Sequence, residues 1–122
     1  MPRLGELERS VMNALWDAPA PMTVREVQEK LDERDLAYTT VMTVLDRLDK
    51  KDMVVRERDG RAYRYGPAVS RDAATSELLH AVLDSAGDDR TAALVHFART
   101  VDPSEAAALR SALDEILAMD DR

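Results

Sequence analysis

The residues of this 122-residue chain best suited to chemistry are Tyr38-Thr39-Thr40-Val41-Met42-Thr43, with Arg47 and Lys50 just behind them. Threonine hydroxyls hydrogen-bond phosphates and base edges, and their methyl groups, like methionine, can touch a thymine methyl. Guanidinium and ammonium groups engage phosphate or guanine. A second basic pair, Arg58 and Arg61, brackets Asp59-Gly60. These residue types grip a polyanion. They do not form a catalytic set.

Other chemistry finds little to use. The chain has no cysteine and two histidines, His80 and His96, far apart in sequence. Thiolate metal sites, disulfides and cysteine nucleophiles are therefore excluded, and no Gly-rich phosphate loop or nucleophile elbow is present. Glu77 and His80 stand three apart, as in some di-metal bundles, with Asp84 nearby. Such bundles need further inward carboxylates, so a surface helix is the expected reading. No enzyme activity, cofactor or metal is expected.

The elements that would position the basic residues follow from periodicity. Leu4, Leu7, Val11, Ala14 and Leu15 mark a first helix from Leu4 to Trp16, ended by Ala18-Pro19-Ala20-Pro21. Thr23-Val24-Arg25-Glu26 reads as a capping box opening a second helix, with Val24, Val27 and Leu31 on its buried face. A third helix is predicted from Tyr38 to Asp52. At 100° per residue, Val41, Val44, Leu45 and Leu48 share its core side, while Thr39, Thr43, Asp46 and Lys50 lie opposite. Asp46 fits this side poorly; pairing with Lys50 one turn on is the expected resolution, contact with a cytosine amine the alternative.

Asp59-Gly60 suits a two-residue hairpin turn, which would pair Arg58 with Arg61, Arg56 with Tyr63 and Val54 with Tyr65. An isolated hairpin is marginal in water, so this one must lean on the helices through Val54 and Tyr65. Trp16 and the methionines are expected in the core.

Three helices followed by a basic hairpin is the winged-helix order. The third helix then fits the major groove, about 12 Å wide, while the wing follows the backbone. The fold expected is mostly α with a small β-hairpin wing. The DNA contacts expected are Tyr38, Thr39, Thr40, Met42, Thr43, Arg47, Lys50, Arg58 and Arg61. A protein-docking winged helix would instead carry an apolar exposed face on the third helix.

The net charge of −7 stands against a DNA binder until it is divided. Residues 1–67 carry 12 Lys/Arg against 13 Asp/Glu, whereas residues 68–122 carry 5 against 11. The acidity lies in the second half. Around the third helix and hairpin, Arg47, Lys50, Lys51, Arg56, Arg58, Arg61 and Arg64 form a local basic patch. Screening makes such local charge count more than distant charge.

Gly66-Pro67 is the expected domain boundary, dividing a DNA-binding domain, 1–67, from a helical dimerisation region, 68–122. Helices are predicted at Ser70–Ala86, at Thr91–Thr100 and after the cap Asp102-Pro103-Ser104-Glu105. Their apolar stripes exceed what so few residues can cover. A second copy of the chain is the simplest cover, through Leu79, Val82, Leu83, Leu109, Leu113, Ile116 and Leu117. No apolar run reaches the roughly 20 residues of a membrane span, and the N-terminus has no apolar signal core. A cytoplasmic protein without membrane insertion is expected.

The ordered set LGELERSVMNALW (4–16), TVREVQEKL (23–31), YTTVMTVLDRLDKKDMV (38–54), DGRAYRYGP (59–67) and ALVHF (93–97) resembles the BlaI/MecI penicillinase-repressor family of bacterial transcription regulators. The resemblance implies a homodimeric repressor of β-lactam-resistance or related genes, bound to dyad-symmetric double-stranded operator DNA. It also implies release by proteolysis in the dimerisation region, triggered by a membrane sensor-protease. Characterised members are cut at an Asn-Phe bond; the matching bond here is His96-Phe97. The cysteine motif of copper-responsive relatives is missing from this chain.

Overall fold

A computed structural model describes residues 4–120, so the outer ends of the two expected domains, 1–3 and 121–122, lie outside the described residues. The elements run α1 (Glu6–Asp17), β1 (Met22–Thr23), α2 (Val24–Lys30), α3 (Tyr38–Lys50), β2 (Val54–Asp59), β3 (Ala62–Pro67), α4 (Arg71–Asp84), α5 (Arg90–Ala98) and α6 (Pro103–Asp120). Among the described residues no helix is long and apolar enough to cross a membrane. The chain divides into two compact units, Met1–Leu78 and Leu79–Arg122.

In the first unit α3 packs on α1 and α2, and its apolar side supplies Val41, Val44, Leu45 and Leu48 to the core. Val11, Met12 and Leu15 of α1 and Val24 and Val27 of α2 complete the helical part. The sheet has the antiparallel order β1-β3-β2, with β3 in the centre. Its Val54 and Tyr65 are buried against the helices, which is how the hairpin avoids standing alone in water. The segment after Gly66-Pro67 belongs to this unit. Trp16 Nε1 donates to Val69 O at 2.9 Å, Arg71 pairs with Asp17, and Ala74 is buried.

Two features of the sheet differ from the periodicity-based reading. Met22-Thr23 forms a third strand, with Met22 opposite Tyr65 and Thr23 opposite Arg64. Two residues are too few for an alternation to register, and Thr23 is also the N-cap of α2. The capping box itself is present: Thr23 Oγ1 accepts from Glu26 N, and Glu26 Oε1 accepts from Thr23 N.

The hairpin register is also shifted. Arg58 faces Tyr63, Asp59 faces Ala62 and Arg56 faces Tyr65, so Gly60-Arg61 forms the turn instead of Asp59-Gly60. Gly60 has φ 64°, while Arg61 is not in the positive-φ region. Glycine at the first central position with the only positive φ is the type II′ pattern. Asp59 is thereby freed from the turn and accepts from Arg64.

The end of α3 is set by a Schellman motif. Met53 N donates to Leu48 O at 2.9 Å, Asp52 N donates to Asp49 O at 3.1 Å, and Asp52 takes φ 59°. Met53 and Leu48, the apolar pair of that motif, are both fully buried. This turn aims β2, and hence the wing, off the end of α3.

The second unit contrasts with the first. From Leu79 to Asp120 no residue is buried. Gly87, with φ 60°, ends the α4 segment, and Asp102 Oδ1 accepts from Glu105 N to cap α6. Burial slightly opposes the ionised Asp102, but its hydrogen bonds from Ser104 and then Glu105 dominate and hold the carboxyl below its usual value. Of the methionines, Met12, Met22 and Met53 are core; Met42 is exposed, as its place among the expected DNA contacts requires, and Met119 is exposed where a core position was expected.

Candidate nucleic-acid interface

The candidate interface begins with the side of α3 that the core does not use. Thr39, Met42, Thr43, Arg47 and Lys50 are exposed, Tyr38 is more than a third exposed, and Thr40 is half-buried. Apart from Tyr38 and Met42 this face is polar. A cleft of about 240 Å³ runs beside it, lined by Leu7, Thr39, Thr40, Thr43, Val44 and Arg47. No side chain caps the start of α3, where the N-cap is Ala37.

Hydrogen bonds divide the threonines. Thr43 Oγ1 donates to Thr39 O at 2.8 Å, a back-bond to the preceding turn. Its proton is committed within the helix, leaving lone pairs and a methyl group facing outward. Thr39 and Thr40 carry no such bond among the described residues, and their hydroxyls keep a donor.

Ion pairing divides the cations in the same way. Lys51 donates to both oxygens of Glu8, at 2.9 and 2.7 Å. Arg64 donates to Asp59 at 2.6 Å and to Glu26 at 3.0 Å, joining the wing to the start of α2. Arg56 lies 3.9 Å from Asp49 and stacks over the Tyr63 ring at 4.5 Å. In contrast, Arg47, Lys50, Arg58 and Arg61 form no ion pair among the described residues. Arg58 donates to Gly60 O at 3.3 Å and lies over the Tyr63 ring, 5.8 Å from its centroid. Among the described residues Arg9 of α1 and Arg25 and Lys30 of α2 are also without a carboxylate partner. They lie outside the basic run, and nothing in the sequence singled them out.

The paired groups titrate accordingly. Burial raises the Glu8 carboxyl, but hydrogen bonds from Lys51 and Gly5 N, with the charges of Lys51 and Arg47, outweigh it and hold the pKa below the usual value. Glu26 is lowered by its hydrogen bonds from Thr23 and by Arg64. The guanidinium of Arg56 is favoured by the Tyr65 hydroxyl and Asp49, and that of Arg64 by Asp59 and Glu26. Glu8 does two jobs. It closes the first turn of α1 at Gly5 and ties α1 to the C-terminal end of α3.

Asp46 and Lys50 do not pair among the described residues, contrary to the expected i,i+4 bridge. Asp46 stands on the exposed side of α3 with no hydrogen bond or ion pair among the described residues. Asp49, by contrast, is drawn across to Arg56 of β2.

The other sequence candidates lie in the second unit. Leu79, Val82, Leu109, Leu113, Ile116 and Leu117 are exposed, the last three by 54, 60 and 62%, and Leu83 is half-buried. Leu94, Val95, Phe97 and Met119 add to this apolar surface without having been expected there. The weak amphipathicity of α5 gave no stripe from which to pick them. His96-Phe97 lies in the last turn of α5, where Phe97 O accepts from Thr100 N and Thr100 Oγ1. His80 Nδ1 lies 2.8 Å from Arg90 Nη2, and Asp84 pairs with the same guanidinium. That corner is an ion-pair cluster between α4 and α5.

A family model described as penicillinase repressor matches residues 4–115. The transcriptional regulator BlaI of Mycobacterium tuberculosis, in two strains, is 54% identical over 117 residues, 93% of this chain and 85% of the relative. Among solved structures, the DNA-binding domain of the repressor BlaI aligns with TM-score 0.52 and 27% identity over 57% of this chain and 85% of that one. A variant of S. aureus MepR, solved bound to an oligodeoxyribonucleotide, aligns with TM-score 0.51 over 95% of this chain and 79% of its own. At 16% identity that likeness speaks to the winged-helix fold alone.

Proposed function

The chain belongs to the penicillinase-repressor family of DNA-binding transcriptional regulators, and from that premise we propose that it is a cytoplasmic homodimer that represses its target genes by occupying dyad-symmetric operators. The observation that carries this reading is the division of the cations. Lys51, Arg56 and Arg64 are spent on internal carboxylates, while Arg47 and Lys50 on α3 and Arg58 and Arg61 on the wing are left for an outside anion. Polyanion binding then proceeds with little internal cost, because no ion pair has to break first.

In this reading α3 enters the major groove. Thr39, Thr40, Thr43 and Met42 meet base edges and thymine methyls, with Tyr38 at the entry, and Arg47 and Lys50 serve phosphates or guanine. Arg58 and Arg61 at the wing tip contact phosphates. The apolar surface of α4 and α6, with Leu79, Val82, Leu83, Leu109, Leu113, Ile116 and Leu117, is covered by the second copy. Dimerisation makes the second half-site contact intramolecular, at an effective concentration in the millimolar range. Bound repressor excludes polymerase from the promoter, and the genes controlled are those of β-lactam resistance or related ones.

Release follows from cutting the tether. Proteolysis at His96-Phe97, by a membrane sensor-protease, would separate α6 from the DNA-binding head. The bond is helical, so the last turn of α5 must unwind before an extended-chain protease can hold it. The test is a gel shift on duplexes carrying two half-sites spaced by whole helical turns, about 10 base pairs each. Binding of two chains per dyad, lost when one half-site is scrambled, is the expected result. Equal affinity for random duplex would overturn the proposal.

A further inference from the structure

Asp46 is the carboxylate that the interface leaves unexplained. It lies five residues, hence 140° at 100° per residue, from the core-facing Val41, on the side shared by Thr39, Thr43 and Lys50. The order Asp46…Lys50 is the favourable one for an i,i+4 bridge, yet the two do not pair. An ionised carboxylate accepts hydrogen bonds and donates none. On a surface that meets phosphates it costs affinity unless a donor meets it.

Resting on the DNA-binding reading above, we propose that Asp46 is a specificity-determining residue that accepts a hydrogen bond from the exocyclic amine of a cytosine in the major groove. Only two major-groove donors exist, cytosine N4 and adenine N6. Adenine sets the N7 acceptor beside its amine, and that lone pair repels a carboxylate. Cytosine offers the amine with a C–H edge next to it, so the carboxylate selects cytosine. Thr43, one turn back, leaves lone pairs and a methyl outward and offers Asp46 no competing proton, because that proton is held by Thr39 O. Lys50, one turn on, is exposed and pairs with no carboxylate among the described residues, which leaves it for a phosphate.

The experiment measures base preference of the full chain on a duplex pool randomised across the half-site. Wild type is expected to prefer cytosine about tenfold at one position in each half-site. Asp46→Ala should lose the preference at that position alone and bind the remaining sequences at least as tightly. Asp46→Asn should move the preference toward adenine, whose N6/N7 pair matches an amide. If Asp46→Ala keeps every preference and only tightens binding uniformly, the residue is an electrostatic brake and the proposal fails. A wild-type chain with no preference at any position would overturn the operator-recognition reading itself, a different failure.

Discussion

Residues 4–78 close a core of their own around Met12, Val27, Leu45 and Leu48, whereas from Leu79 to Asp120 no residue is buried and Leu113, Ile116 and Leu117 stand more than half exposed. The contrast does not come from composition, since both stretches are rich in leucine, valine and alanine. It comes from geometry. In the first unit three helices and a sheet surround one another, so each apolar face meets another within the chain. In the second, the large apolar side chains of α5 and α6 stay exposed among the described residues. Stability of the first is a property of one chain. Order in the second is expected to depend on chain concentration.

The largest test of that contrast is Leu45→Ala. Leu45 is fully buried, so its truncation should destabilise the first unit by about 2–5 kcal/mol, read by urea denaturation. The loss should be the same at low and high protein concentration. A concentration-dependent loss would mean that the first unit is also held by a partner.

Leu113→Asp is the complementary change. Leu113 is exposed in the single chain, so the first unit should keep its unfolding midpoint while light scattering shows monomers. Operator affinity should fall about 100-fold as the tether is lost. A variant that stays dimeric would move the interface to the Leu94, Val95 and Phe97 surface instead.

The two regions were unequally legible in sequence. Helices with one clear apolar stripe were readable: the core side of α3, Val41, Val44, Leu45 and Leu48, follows from spacing alone. The capping box at Thr23 and the cap at Asp102 were readable because they are local. The hairpin was seen but its register was not. Asp-Gly and Gly-Arg turns differ by one residue, and the observed turn leaves Asp59 outside it, where it meets Arg64. The pairing of cations was invisible. Lys51 and Lys50 are identical in type and adjacent, yet one faces Glu8, 43 residues away, and the other faces solvent. In the second unit α5 is apolar on several sides, so its sequence offered no single stripe to pick out.

Glu8→Gln probes a contact that holds α3 to α1 inside the first unit. The folded state lowers the Glu8 pKa, so the unfolded chain binds more protons as pH falls through the carboxylate range. The stabilisation is therefore complete above the ordinary carboxylate value and disappears as pH drops through the lowered one. At pH 7 the variant should lose about 1–2 kcal/mol, because Lys51 keeps a charge at a half-buried site. Toward pH 3 the gap between variant and wild type should close. A gap independent of pH would show that Glu8 acts through packing and its bond to Gly5, not through its charge.

Asp52→Gly is the smallest change and acts at the turn that aims the wing. Asp52 holds φ 59° at the position where a Schellman motif favours glycine. Relief of left-handed strain, about 1–2 kcal/mol, is partly offset by the entropy glycine loses on folding, about 0.5–1 kcal/mol. A net gain of about 0.5 kcal/mol should appear in the unfolding midpoint of the first unit, unchanged by dilution. The same substitution should leave dimer dissociation untouched, because the turn lies wholly within residues 4–78. Coupled shifts in both would show that the two units unfold as one, and that the independence inferred from their burial does not extend to their stability.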